Sequence, residues 1–136
     1  MGQTAAVPRT ILEAMQETNR LFSEQVVGNK QIARLDSVYT EDGAILPPDS
    51  QIIRGRENIK QFWSKVIFEA GLSGAPLATV EAELVGDAPY EIGTAQLTFQ
   101  GPSGSSQISV KYMVVWKQDT DGLWKWHRDI WNQTPS

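Results

Sequence analysis

Residues 111–132 read KYMVVWKQDTDGLWKWHRDIWN, and the reading of this stretch decides the fold. Tyr112, Val114, Val115 and Trp116 are β-branched or aromatic, as are Trp124, Trp126, Ile130 and Trp131 beyond Asp119-Thr120-Asp121-Gly122. Two strands joined by a tight turn follow, with Asp-Gly supplying the residues that accept positive φ. The second arm holds three of the chain's five tryptophans, its only histidine (His127), and an acid inside an apolar run, Asp129.

The loop length fixes which side chains share a face. A two-residue loop pairs Thr120 with Leu123, and a four-residue loop pairs Gln118 with Leu123. Both put Tyr112, Val114 and Trp116 on one side with Lys125, His127, Asp129 and Trp131, because opposed residues point the same way. A three- or five-residue loop inverts this. On the even count the other face carries Met113, Val115, Trp124, Trp126 and Ile130. Both faces are then largely apolar, whereas a sheet wet on one side alternates more cleanly. One face is expected to meet the chain's own helices, and the other needs a second cover.

A chain of 136 residues fits one domain spanning 1–136, with enough length for a real core. It has no cysteine, so disulfides, thiolate catalysis and zinc–sulfur sites are excluded. A net charge of −4 without a basic run argues against nucleic acid as a partner. No stretch of about 18 apolar residues suggests a membrane span. The N-terminal MGQTAAVPRT lacks an apolar signal core, and its Met-Gly start has Ala6 where a myristoylation pattern wants Ser or Thr. A soluble cytoplasmic protein without a membrane partner is the expectation.

Thr10-Ile11-Leu12-Glu13 fits a capping box opening a helix to about Val27, with Ile11, Met15, Phe22 and Val26 at helical spacing. Thr18 and Asn19 interrupt that stripe, so they must find partners or line a cavity. A second helix is expected over Asn29–Tyr39, ending at Thr40–Gly43. A short hairpin over Ala44–Leu46 and Gln51–Ile53 follows, then a third helix from Arg56 to Ala70. From Ala75 the period becomes two. Ala78, Val80, Ala82 and Leu84 form the apolar face of a strand, and Thr79, Glu81 and Glu83 oppose it. Tyr90–Phe99 is the next strand, Gly101–Ser106 a flexible loop, and the opening hairpin ends the chain. Helices segregated from a meander of four long strands predict an α+β fold, a cone with a pocket between sheet and helices.

At this point the sequence resembles the SnoaL-like, ketosteroid isomerase-like branch of the nuclear transport factor 2-like superfamily. The carrying phrases are Leu35-Asp36-Ser37-Val38-Tyr39-Thr40-Glu41-Asp42-Gly43-Ala44, Leu46-Pro47-Pro48, Gly55-Arg56-Glu57-Asn58-Ile59 with Phe62-Trp63, and the hairpin phrases Lys111-Tyr112 to Trp116-Lys117, Asp121 to Lys125, and Asp129-Ile130-Trp131-Asn132. The resemblance implies a curved antiparallel sheet, a pocket beneath three helices, and a homodimer through the sheet's outer face. It does not bring the steroid isomerase machinery with it. The place of that family's general-base Asp falls at about Pro47, the first-helix Tyr region holds Leu21, Phe22 and Ser23, and the strand Asp is replaced by about Val114. An Asp-Arg-Asp set of the limonene epoxide hydrolase kind is not evident either.

His127 and Asp129 remain. Two apart on one strand, they are expected on one side, roughly 7 Å apart. SnoaL-like cyclases place an acid–base Asp on a late strand of this sheet, and some relatives use a His-Asp pair. Asp129 in an apolar pocket would have its proton affinity raised. It would then abstract a proton beside a carbonyl, with Tyr112 or His127 steadying the oxyanion. In the other reading Asp129 accepts hydrogen bonds from Tyr112, a Trp indole or Asn19 and pins the sheet to the first helix. Asn19, Phe22, Tyr39, Trp63, Val114, Trp116 and Trp131 are the candidate lining for a small apolar ligand. No phosphate loop or nucleophile elbow is present, Asp119 and Asp121 read as turn residues, and no cofactor or metal is expected. The function reading is a cofactor-free isomerase or polyketide-cyclase-like lyase for a small carbonyl compound. The alternative is a non-catalytic ligand-binding or association module.

Overall fold

The computed structural model describes residues 4–135; the Met-Gly start lies outside them. Strand β1 (Thr4–Ala6) leads into helix α1 (Arg9–Arg20), which widens into a π-helical segment, Leu21–Gly28, and is followed by a 3-10 turn, Ile32–Ser37. Then come β2 (Tyr39–Leu46), β3 (Ile53–Arg54), helix α2 (Arg56–Phe68), β4 (Leu72–Gly74), β5 (Leu77–Val85), β6 (Ala88–Gly101), β7 (Gly104–Gln118) and β8 (Trp124–Gln133). The sheet order is β1-β5-β6-β7-β8-β2-β3, with β4 also on β6. The class is α+β as expected, an open curved sheet on three helical segments. It is mixed rather than wholly antiparallel, because β2 runs parallel to β8.

Several local expectations are corrected. Helix α1 starts at Arg9 after Pro8 with no side-chain cap. Glu13 pairs with Arg9 (3.1 Å) instead of closing a box on Thr10. The expected second helix is only the 3-10 turn, and Tyr39 opens β2. The β-branched and aromatic content of 38–46 favours extension, and β8 supplies the partner edge. Gly101–Ser106 is not a flexible loop. Gly101 pairs with Gly104 (φ +117°), and β7 begins there. In β5, Val80 is the extra residue of a bulge between the Thr79–Gly93 and Glu81–Ile92 pairs and is 64% exposed. The bulge flips the side-chain alternation. Thr79 therefore turns inward, against the expectation that the face with Ala78 and Val80 would.

The core lies between the helices and the inner sheet face. Met15, Phe22, Val26, Leu35, Ile59 and Trp63 pack against Val114, Trp116 and Trp126. Gly93 matters because it sits under the Tyr112 ring. A Cβ there would come within 2.3 Å of Tyr112 Cζ and Oη, so only glycine lets β6 and β7 bring Tyr112 over the sheet.

Candidate functional site

The hairpin delivers its side chains through two irregularities. The turn is odd: Asp119 N–H donates to Leu123 O (2.8 Å) and Gln118 pairs with Trp124. That count puts Trp126, not Lys125, opposite Trp116 on the inner face. A bulge then makes His127 an extra residue, since Val115 pairs with Arg128. Beyond it the alternation is restored, so Asp129 lies opposite Val114 and Trp131 opposite Tyr112. Asp129 thus faces the hollow under the helices, on the side expected for it, but through an odd turn and a bulge that cancel rather than through an even turn. His127 does not join it. Its Nδ1 lies 2.8 Å from Thr40 Oγ1 and 3.7 Å from the Asp42 carboxylate. Burial, then the Arg128 charge, depress its proton affinity. Lys125 is buried as a clamp on the turn, its Nζ 3.0 Å from Asp119 and 2.9 Å from Asp121.

Asp129 is 4% exposed and lines a cavity whose other walls include Phe22, Trp63, Val114, Trp126 and Trp131. The cavity volume is about 40 Å³, space for a few waters. Its aromatic walls are packed on one another: Trp63 and Trp131 stack at 5.4 Å, and Phe22 meets Trp63 edge-on at 5.1 Å. Tyr39 donates its hydroxyl to Asp129 Oδ2 at 2.6 Å, and the Trp63 indole N–H donates to Tyr39 Oη at 3.1 Å. Burial pushes the Asp129 carboxyl up to about 7, opposed by the Tyr39 hydrogen bond and aided by the Glu91 charge. Burial, then Asp129, raise the Tyr39 hydroxyl well above its ordinary range. The result is an acid able to take or give a proton near neutrality, in a site walled by apolar side chains.

Glu91 is the residue that the sequence reading passed over. It is wholly buried. Its carboxylate accepts from Tyr112 Oη (2.5 Å), Thr79 Oγ1 (2.8 Å), Trp116 Nε1 (3.2 Å) and Asn19 Nδ2 (3.2 Å to each oxygen). Asn19 Oδ1 in turn accepts from Trp126 Nε1 at 3.0 Å. This is the pin between sheet and first helix, built from the partners the sequence suggested for Asp129. A buried carboxylate with this many donors is held in place, not free to react. The signal for it was present: Glu91 heads the period-two face of Gly93, Ala95 and Leu97.

Of the candidates, Asp129, Tyr112, Phe22, Trp63, Val114 and Trp131 come together around the cavity. Asn19 and Trp116 serve Glu91 behind it, Tyr39 stands behind Asp129, and His127 sits with Thr40. Tyr112 presents its ring to the cavity, but its hydroxyl proton goes to Glu91, so it is not available to steady an oxyanion. Trp126, expected on the opposite face, is a wall of the cavity. Among the described residues no cluster of three or more His, Asp or Glu is arranged to hold a metal. No helix among the described residues is long and apolar enough to cross a membrane.

Neither a family model nor a curated protein matches this chain. Solved structures do. A ketosteroid isomerase-like protein from Erwinia carotovora atroseptica is 12% identical, covering 93% of this chain and 96% of its own at a TM-score of 0.74. A nuclear transport factor 2-like superfamily protein from Salmonella enterica is 11% identical, covering 93% of each chain at a TM-score of 0.77. The CaMKII hub of S. rosetta is 15% identical, covering 94% of this chain and 100% of its own at a TM-score of 0.74. At such identities the likeness is one of fold.

Proposed function

With the nuclear transport factor 2-like fold as premise, we propose that this chain is a cofactor-free acid–base enzyme of the isomerase or cyclase kind. Its substrate is a small apolar carbonyl compound, and its base is Asp129. One observation carries this reading: a single buried carboxylate, poised to about 7, opens into a cavity with apolar walls. Ionised Asp129 removes a proton beside the carbonyl and, protonated, returns it at another position. The developing enolate oxygen needs a donor. The Trp63, Trp126 and Tyr112 donors of the lining are already engaged. The Trp131 indole N–H has no acceptor among the described residues and is the donor we assign to that oxygen.

The second reading, a non-catalytic binding or association module, is favoured by the tight cavity. A ring-sized ligand enters only if the aromatic walls give way. We also propose that two copies pair through the outer sheet face, where Met113, Val115 and Ile130 are exposed.

The test is α-hydrogen exchange in D2O, followed by NMR, on a panel of small cyclic ketones and enones. Wild type is expected to exchange them with a rate rising through about pH 7. Asp129→Asn should lose about 100-fold or more while keeping its fold. Equal rates for the two proteins across the panel would leave the binding-module reading.

A further inference from the structure

We propose that Trp63 is a positioning residue that locks the Tyr39 hydroxyl proton onto Oδ2 of Asp129. The proton that Asp129 gains or gives is then confined to Oδ1, the oxygen that meets the cavity. An indole N–H donates and never accepts, so with Trp63 Nε1 3.1 Å away, the Tyr39 oxygen is an acceptor on that side. Its one proton must then point along its other short contact, the 2.6 Å to Asp129 Oδ2. A proton on Oδ2 would place two hydrogens in that gap. Oδ1 makes no hydrogen bond among the described residues. Nor is it a fully enclosed polar atom without a hydrogen bond, a condition that among the described residues only Arg56 Nε meets. As part of a cavity-lining side chain, it opens into the cavity.

The groups facing Asp129 leave this assignment intact. Strand β2 presents Tyr39 and β7 presents Tyr112, both pushed up by burial and so neutral through the titration of Asp129. Strand β6 presents the charge of Glu91, whose oxygens are already occupied by other donors. Helix α2 contributes Trp63, which does not titrate. A ligand therefore meets one donor–acceptor atom, Oδ1, and no second oxygen to bridge. The site suits a neutral molecule that offers Oδ1 one hydrogen to take or give, and two nearby carboxylates disfavour an anion.

This inference rests on the acid–base reading only for its catalytic consequence, and its test needs no substrate. The Asp129 side-chain carboxyl carbon is titrated by ¹³C NMR in four proteins: wild type, Tyr39→Phe, Trp63→Phe and the double variant. Tyr39→Phe removes a donor to the ionised form, so the midpoint should rise by about one pH unit. Trp63→Phe frees the Tyr39 oxygen to accept from a protonated Oδ2, so its midpoint should rise as well. The double variant should match Tyr39→Phe if the effect of Trp63 on Asp129 runs through the Tyr39 hydroxyl. A Trp63→Phe midpoint that is unchanged or lower overturns the proposal. So does a double variant in which the two shifts add. Should Trp63→Phe fail to fold, wild type alone decides. The downfield Tyr39 hydroxyl proton must persist on both sides of the midpoint, and its loss on the acid side overturns the lock. Absence of turnover on ketones would leave this result untouched.

Discussion

Asp129 and Glu91 are two buried carboxyl groups that receive very different numbers of donors. Glu91 takes hydrogen bonds from four side chains, whereas Asp129 takes one, from Tyr39. At Asp129 desolvation outweighs the one Tyr39 hydrogen bond, and with the Glu91 charge lifts the carboxyl from 3.8 to about 7. Between those two values the folded chain holds a proton that the unfolded chain has released, so stability falls as pH rises and levels off above about 7. The accumulated cost is about 4 kcal/mol. Asp129→Asn, which mimics the neutral acid, removes it. Urea unfolding at fixed protein concentration should find variant and wild type nearly equal near pH 4, with the variant the more stable at pH 8. A variant that loses stability at pH 8 would mark Asp129 as structural. Gly93 makes a second residue-scale case. In Gly93→Ala the new methyl would collide with the Tyr112 ring and approach Ala78 O to 2.7 Å, displacing the hydroxyl from Glu91. The expected loss is about 2 kcal/mol, read from the urea midpoint. An unmoved midpoint would mean that the ring yields freely.

Elements explain what the sequence could and could not say about this site. The two strands of the hairpin and the Asp-Gly turn were legible, because composition and period two fix strands locally; Asp129 faces inward only because a five-residue turn and a bulge offset each other, not through the even turn expected. What side-chain parity needed was the length of the turn, which is five residues, and the one bulged residue in the strand, His127. The tryptophans carry a trace of this: Trp124 and Trp126 are even, Trp131 and Asp129 odd, so one residue between them had to be extra. Val80 in β5 plays the same part. The Tyr39–Asp129 bond was not legible, since it joins residues 90 apart in the chain across a parallel β2–β8 pair that no local pattern announces. The bulge reading makes a prediction. Deleting His127 leaves Trp126 inward, Arg128 outward and Asp129 inward in regular alternation, so the pairing of β7 with β8 can survive. Deleting Ile130 instead throws Trp131 to the wrong face. Circular dichroism and NMR dispersion should find the first deletion folded, at some cost from the lost Thr40 contact, and the second unfolded. If both unfold alike, the strand needs the bend of the bulge and not merely its parity.

At the scale of the whole molecule the two sheet faces have different fates. The helices cover the inner one. On the outer one, the register sets Ile92, Met113 and Ile130 in a row across β6, β7 and β8, with Tyr90 and Val115 alongside. Met113 is 39% exposed, Val115 37% and Ile130 42%, large apolar side chains that a lone chain would leave in water. Adjacent exposed apolar residues of this kind mark a contact surface, and a face that is its own complement suits a two-fold pair. The strands at either end of the sheet, β1 and β3, are only three and two residues long, so growth by edge pairing has little to build on. The broad outer face is the better candidate. Ile130 also neighbours Asp129 on β8, so a partner packed there would stiffen the strand that holds the base. Light scattering across a dilution series should give a dimer for wild type. It should give a folded monomer for Ile130→Lys, because a desolvated, unpaired ammonium at the centre of the patch opposes association. A dimer that survives this change uses another surface, and a wild type that is monomeric at every concentration removes the outer face as a pairing site.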